Sequence, residues 1–237
     1  MQRDPGHLPP GAHFLGPTIP VHVFEGPKPG PTAIVQAGIH GDEVAGVHAL
    51  EELLETGLNI VSGRLLVIPV MNPAAYRARE RARPGGLDLN RVFPGDAAAP
   101  EAERRLAAMF TALVEHERPA LLMTLHESWK RFHPEIRVSF GQTVVYGVEP
   151  RPPLVDRIVA AMNAELANPY ELWAPHFYPV PTSSTEVLVD RIGPEHMVGL
   201  CIETWMGFEL PRRIAMQQAV VRHALVAMGL MAAAPTI

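Results

Sequence analysis

The sequence predicts an α/β protein of three layers, with helices on both faces of a mainly parallel, mixed central sheet. Apolar runs of strand length alternate with stretches of helical period, the pattern that places parallel strands between covering helices. Runs such as Thr32 to Ala37 and Ala120 to Leu125 are almost continuously apolar, as strands buried on both faces are. With 237 residues and 47% hydrophobic content, the chain can fill one core. Its 19 glycines and 25 prolines stay below the roughly 25–30% that marks low complexity. The prolines gather in the first 31 residues and at segment junctions, which predicts long, stiffened loops.

Residues 1–18 lack periodicity and are expected to form an extended N-terminal arm, and Ile19 to Phe24 then alternates as a short strand. After the strand at Thr32 to Ala37, the residues Val44, Val47, Leu50, Leu54 and Leu58 recur at helical spacing. Asp42 is the expected N-cap of that helix and Gly57 its stop. A strand at Arg64 to Met71, a long arginine-rich loop to Gly95, a helix from about Pro100 to His116 and a strand at Ala120 to Leu125 follow. The remainder reads as a strand at Thr143 to Val148, a helix at Leu154 to Leu166, weak and stronger strands at Glu186 to Val189 and Val198 to Ile202, and a helix at Pro211 to Leu230. With neither internal repeat nor linker, residues 1–237 are expected to form a single catalytic domain.

Charge and composition narrow the function. A formal net charge of -5 does not favour a nucleic-acid partner, so a small-molecule substrate is expected. The single cysteine, Cys201, excludes an internal disulfide and a cysteine-rich metal cluster, which suits a reducing, cytoplasmic compartment. Met1 to Pro10 lacks the pattern of a signal peptide, and the apolar tail from Ala219 is broken by Arg222 and His223, so no membrane association is expected.

Sites in open α/β sheets form outside the carboxyl ends of strands. Three such ends carry groups that a core would not want: His40 with Glu43, His126, and Glu203. Two histidines and a carboxylate with an open fourth position make a common catalytic zinc set, and Glu203, desolvated at the end of an apolar strand, could serve as a base. Each residue alone has a plainer reading. Asp42 and Glu43 could cap a helix, His126 could be a hydrogen-bonded strand-end histidine, and Glu203 could pair with an arginine. Their coincidence at three strand ends favours the site.

The wording of the motifs is more specific. Gly38-Ile39-His40-Gly41-Asp42-Glu43, Met71-Asn72-Pro73, Asp88-Leu89-Asn90-Arg91 with Phe93-Pro94-Gly95, and Leu125-His126-Glu127 together resemble the succinylglutamate desuccinylase/aspartoacylase family, a branch of the zinc carboxypeptidase-like fold. The resemblance implies that His40, Glu43 and His126 hold Zn2+ and that Glu203 activates water and passes its proton to the leaving amine. It implies that Arg83, five positions before Asp88, polarises the scissile carbonyl. It further implies that Asn90 and Arg91 grip a substrate carboxylate, while Asp88 orients the His40 imidazole. Arg77, Arg79 and Arg81 are read instead as a solvated basic face.

Family members usually add a β-rich C-terminal domain, which is not expected here, so a bulkier substrate is allowed. The expected activity is zinc-dependent hydrolysis of the amide bond of an N-acyl amino acid or a similar carboxylate-bearing amide, by a protein that can oligomerise. One alternative is a carboxypeptidase-like metallopeptidase acting on peptides or peptidoglycan fragments. The other is a non-catalytic zinc domain that binds a carboxylate ligand.

Overall fold

The computed structural model describes residues 8–164, 166 and 168–233. Eight strands form one sheet among the described residues: β1 (Gly11–Leu15), β2 (Ile19–Glu25), β3 (Thr32–Gln36), β4 (Arg64–Ile68), β5 (Leu121–Ser128), β6 (Thr143–Tyr146), β7 (Ala174–Phe177) and β8 (Val198–Trp205). Their spatial order is β1-β2-β4-β3-β5-β8-β6-β7. The central run β4-β3-β5-β8 is parallel throughout, β6 and β7 are parallel to each other, and antiparallel pairings join β2 to β4 and β6 to β8.

Six α-helices among the described residues complete the layers: α1 (Ala45–Thr56), α2 (Pro73–Ala78), α3 (Ala102–Glu117), α4 (Pro153–Ala164), α5 (Ser184–Ile192) and α6 (Leu210–Ala227). Alternate residues of the central strands feed two separate cores. Val35, Met123 and Leu125 pack with Leu50, Ile158 and Val220 from α1, α4 and α6. Ile34 and Leu122 turn the other way, onto Phe110 of α3 and Leu188 of α5. Burying each such side chain contributes about 1.5–3 kcal/mol. Among the described residues, no helix is long and apolar enough to cross a membrane.

The structure departs from expectation at four places. The part of the expected arm from Gly11 to Leu15 is a strand paired antiparallel with β2, while residues 1–7 lie outside the described residues. Its side chains are largely solvent-facing, so the backbone ladder holds it without an apolar alternation to reveal it. The expected weak strand at Glu186 to Val189 is instead part of α5, because Ser183 caps the Glu186 N–H and Ser184, Leu188 and Ile192 share a buried helical face. Helix α2 occupies what reads as loop, started by the Asn72 side chain accepting from Ala75 N–H. Edge strand β7, with Pro175 inside it, gives no strand signal in sequence. The expected helix end at Leu166 falls beside Glu165, which is outside the described residues, and residues 234–237, the end of the apolar tail, lie outside them too.

Two smaller shifts matter for function. Strands β5 and β8 run three residues past their expected ends, which puts His126 and Glu203 inside them and in register with each other. Asp42 does not cap α1; Val44 holds the N-cap position without a side-chain bond, and the Ala45 N–H donates to the Glu127 carboxylate at 2.8 Å.

Candidate metal centre and active site

The site is assembled where β3, β5 and β8 end. Beyond β3 the chain turns through Gly38, whose φ of 63° favours glycine. It then presses Gly41 against α2, where a Cβ would lie 2.0 Å from the Ala75 carbonyl oxygen. Gly41 N–H also donates to Glu80 O at 3.0 Å. This backbone contact fixes the loop that carries His40 and Glu43.

Glu43 is the hub. One carboxylate oxygen lies 2.7 Å from His40 Nδ1 and the other 2.6 Å from His126 Nδ1, with the Glu127 N–H donating to the latter oxygen at 3.2 Å. All three side chains are buried, and ligand atoms of the three lie within 4.8 Å of one another. The far nitrogen of His40 is 3.2 Å from Asp88 Oδ1, the carboxylate partner a metal-bound histidine usually has. Burial pulls the His40 imidazole down, but Glu43 and Asp88 outweigh it and raise it to about 9. Burial wins at His126, which is lowered. Burial pushes Glu43 up, yet the two imidazoles hold it well below the ordinary carboxylate range. Two imidazoles thus converge on one anion, and the three side chains offer nitrogen and oxygen donors to a divalent cation.

Glu203 neighbours this cluster across the β5–β8 register. One of its oxygens accepts from Cys201 Sγ at 3.6 Å, and the other is buried with no partner among the described residues. Burial, reinforced by Glu43, pushes its carboxyl up to about 8. On the opposite flank, Asp88 accepts from Asn90 N–H at 2.9 Å and holds a tight turn at Leu89–Arg91. Asn90 Oδ1 accepts from Ser184 N–H at 2.9 Å, which ties this turn to the start of α5. Arg91 is exposed and lines the same cleft, whose volume is about 340 Å³.

The arginines are placed differently from expectation. Arg83 is turned to the buried Glu103 of α3, with Nε donating at 2.6 Å and Nη2 at 3.4 Å, and it does not line the cleft. Arg81, read in sequence as part of a solvated face, reaches the cluster. It donates from Nε to Asp88 at 3.0 Å, and its Nη1 lies 3.6 Å from Glu43 and 3.3 Å from His40 Nδ1. Alternate positions in an irregular loop carry no period that could have separated the two.

Glu127 carries no separate signal in the sequence beyond its place after His126. Its carboxylate faces the other side of β5, where it accepts from Ala45 N–H, from Thr204 Oγ1 at 3.4 Å and from Arg213 Nη1 at 2.5 Å. Gln217, one turn along α6 from Arg213, donates to the His126 carbonyl at 2.8 Å. The backbone of His126 and Glu127 is therefore clamped from behind by a buried polar network.

Fold and site together define a carboxypeptidase-like α/β protein with a His/Glu/His cluster beside an acid that has one buried oxygen unpartnered among the described residues. Residues 29–133 match the Succinylglutamate desuccinylase/Aspartoacylase catalytic domain, and over this stretch the chain is similar to that family. An N-alpha-acetyl-L-2,4-diaminobutyric acid deacetylase of Halomonas elongata is 44% identical over 80 residues, which are 33% of this chain and 23% of that protein. Among solved structures, the cell shape determinant protein Csd4 of Helicobacter pylori superposes with a TM-score of 0.77 at 16% identity, covering 90% of this chain and 55% of Csd4. A succinylglutamate desuccinylase/aspartoacylase of Rhodobacter sphaeroides gives a TM-score of 0.69 at 23% identity, with 92% of this chain and 61% of that one covered. The chain thus spans a little over half the length of these solved proteins, and its match with the deacetylase is limited to about a quarter of that enzyme.

Proposed function

We propose that this protein is a zinc-dependent hydrolase that cleaves the amide bond of an N-acyl amino acid or a related amide bearing a free carboxylate. The observation that carries this reading is the single buried carboxylate of Glu43 touching two imidazoles beside Glu203, whose second oxygen has no partner among the described residues. The donor set fits a divalent cation: two nitrogens and a carboxylate, with an outer acid already on His40. Held by His40, Glu43 and His126, such an ion would supply Lewis-acid polarisation of the carbonyl and a more acidic water.

The chain's own residues do the rest. Asn90 uses its side-chain oxygen on Ser184, which leaves its amide N–H groups for a substrate carboxylate, and the Arg91 fork supplies charge-assisted bonds to the same group. Glu203, on its free oxygen, accepts the proton of the attacking water and delivers it to the leaving nitrogen as the C–N bond breaks and the new C–O bond remains. Arg81, beside the cluster, is the cation that faces the developing oxyanion; the ion pair with Glu103 keeps Arg83 from that role. The products are a carboxylic acid and a free amino acid.

The test is a panel of N-acyl amino acids and peptides assayed with zinc-loaded wild type and Glu203→Gln. Release of the carboxylic acid from the N-acyl compounds, lost in the variant with metal content retained, supports the proposal. A second reading, a carboxypeptidase-like metallopeptidase acting on peptides or peptidoglycan fragments, draws support from the fold match to Csd4, described as a D,L-carboxypeptidase. Trimming of peptides with no release from N-acyl amino acids would favour it. A carboxylate-binding domain without catalysis has no use for a desolvated acid beside the cation, and undiminished turnover in Glu203→Gln would remove Glu203 from the mechanism.

A further inference from the structure

The first turn of α5 forms part of the cleft wall and carries an acid without a counter-charge. Ser183-Ser184-Thr185-Glu186 has the spacing of a capping box, in which the glutamate side chain returns to the serine N–H. Half of that box is made, since Ser183 Oγ accepts from Glu186 N–H at 3.3 Å. The other half is already taken: Ser183 N–H donates to Val180 O at 2.9 Å. The Glu186 carboxylate is thereby released from the helix, and its side chain has no hydrogen bond or ion pair among the described residues. It lines the same cleft as Arg91 and Glu203.

Two further features show that this acid is accommodated there. Gly147, just past β6, leaves its space open: a Cβ at that position would lie 1.7 Å from Glu186 Oε1. Burial and the nearby Asp190 push the carboxyl up to about 7, because nothing cationic offsets its charge. A half-buried acid of this kind is costly unless a positive group meets it.

We infer that Glu186 receives a cationic group of the substrate, so that the substrates are N-acyl derivatives of amino acids with basic side chains. The inference rests on the amidase reading and specifies its substrate class. The Asn90–Ser184 bond joins the carboxylate grip to α5, and Glu186 follows two residues beyond Ser184. A substrate whose α-carboxylate meets Arg91 can therefore extend its side chain along this turn. Tyr178 and Val145, which also line the cleft, offer apolar surface for the methylene stem.

The experiment compares L-lysine with L-norleucine, which has the same stem without the ammonium, as ligands of the zinc-loaded protein in calorimetry. The corresponding Nα-acetyl compounds serve as substrates in parallel. Lysine is expected to bind about tenfold or more tightly than norleucine, the scale of a charge-assisted bond. Glu186→Gln should bring the ratio to about one, and Gly147→Ala, whose methyl displaces the carboxylate without removing it, should do the same. Equal binding in the wild type, or a preference that survives both substitutions, overturns the inference. Preferential lysine binding without hydrolysis of either acetyl compound refutes the amidase reading and leaves the assignment of Glu186 in place.

Discussion

Arg213→Met removes the ion-pair partner of Glu127, whose side chain is fully buried behind the cluster. Removing one member of a buried pair typically costs about 3–5 kcal/mol. Here Glu127 keeps the bonds from Ala45 N–H and Thr204, and methionine preserves much of the apolar stem of the arginine, so about 2–4 kcal/mol is expected. For a chain of this size that corresponds to a Tm lower by about 5–15 °C. The pH dependence follows from the direction of the Glu127 shift. Burial already raises its carboxyl above the ordinary value, and loss of Arg213 raises it further. A raised acid costs stability when it is ionised, above its unfolded value, and costs nothing once it is protonated in both states. The gap between wild type and variant should therefore be largest near pH 8 and should narrow toward pH 4. Thermal unfolding of the metal-free proteins across this range is the assay. Adding Glu127→Gln, which removes the stranded charge but retains an acceptor for Ala45, should recover part of the loss. A Tm shift below about 2 °C, or a gap that widens in acid, would refute this account of the network.

The remaining predictions concern the cleft. Arg81→Met should lower kcat about 10²–10³-fold, as removal of an oxyanion partner does. Arg83→Met should leave kcat within a few-fold and instead lower Tm, because Glu103, only 2% exposed, loses its partner. The reverse pattern would return the oxyanion role to Arg83. Glu203→Gln should reduce turnover about 10²–10⁴-fold with zinc content unchanged, measured by steady-state hydrolysis and metal analysis on the same preparation.

Much of this arrangement was legible in the sequence because it is local or follows the sheet's logic. The strand-loop-helix unit from Thr32 to Gly57 shows its period directly, and the carboxyl ends of three strands point to His40, Glu43, His126 and Glu203, which the fold gathers. The less legible parts depend on partners distant in the chain. Helix α5 reads as a weak strand because Val187, Leu188 and Val189 form a short apolar run with two β-branched residues, and its capping at Ser183 and its seat on α3 decide otherwise. Arg81 and Arg83 are two residues apart in one loop, and the buried Glu103 from α3 determines which of them faces the cleft. Glu127 sits beside His126 in sequence but faces α6, so its role appears only when Arg213, 86 residues away, is brought to it.

Zinc binding by the wild-type protein and by His126→Ala, followed by equilibrium dialysis, probes the central claim most directly. The account predicts one ion per wild-type chain and an affinity at least about a hundredfold weaker once His126 is gone, with His40 and Glu43 intact. Equally tight binding by the two proteins, or no tight site in the wild type, would contradict it.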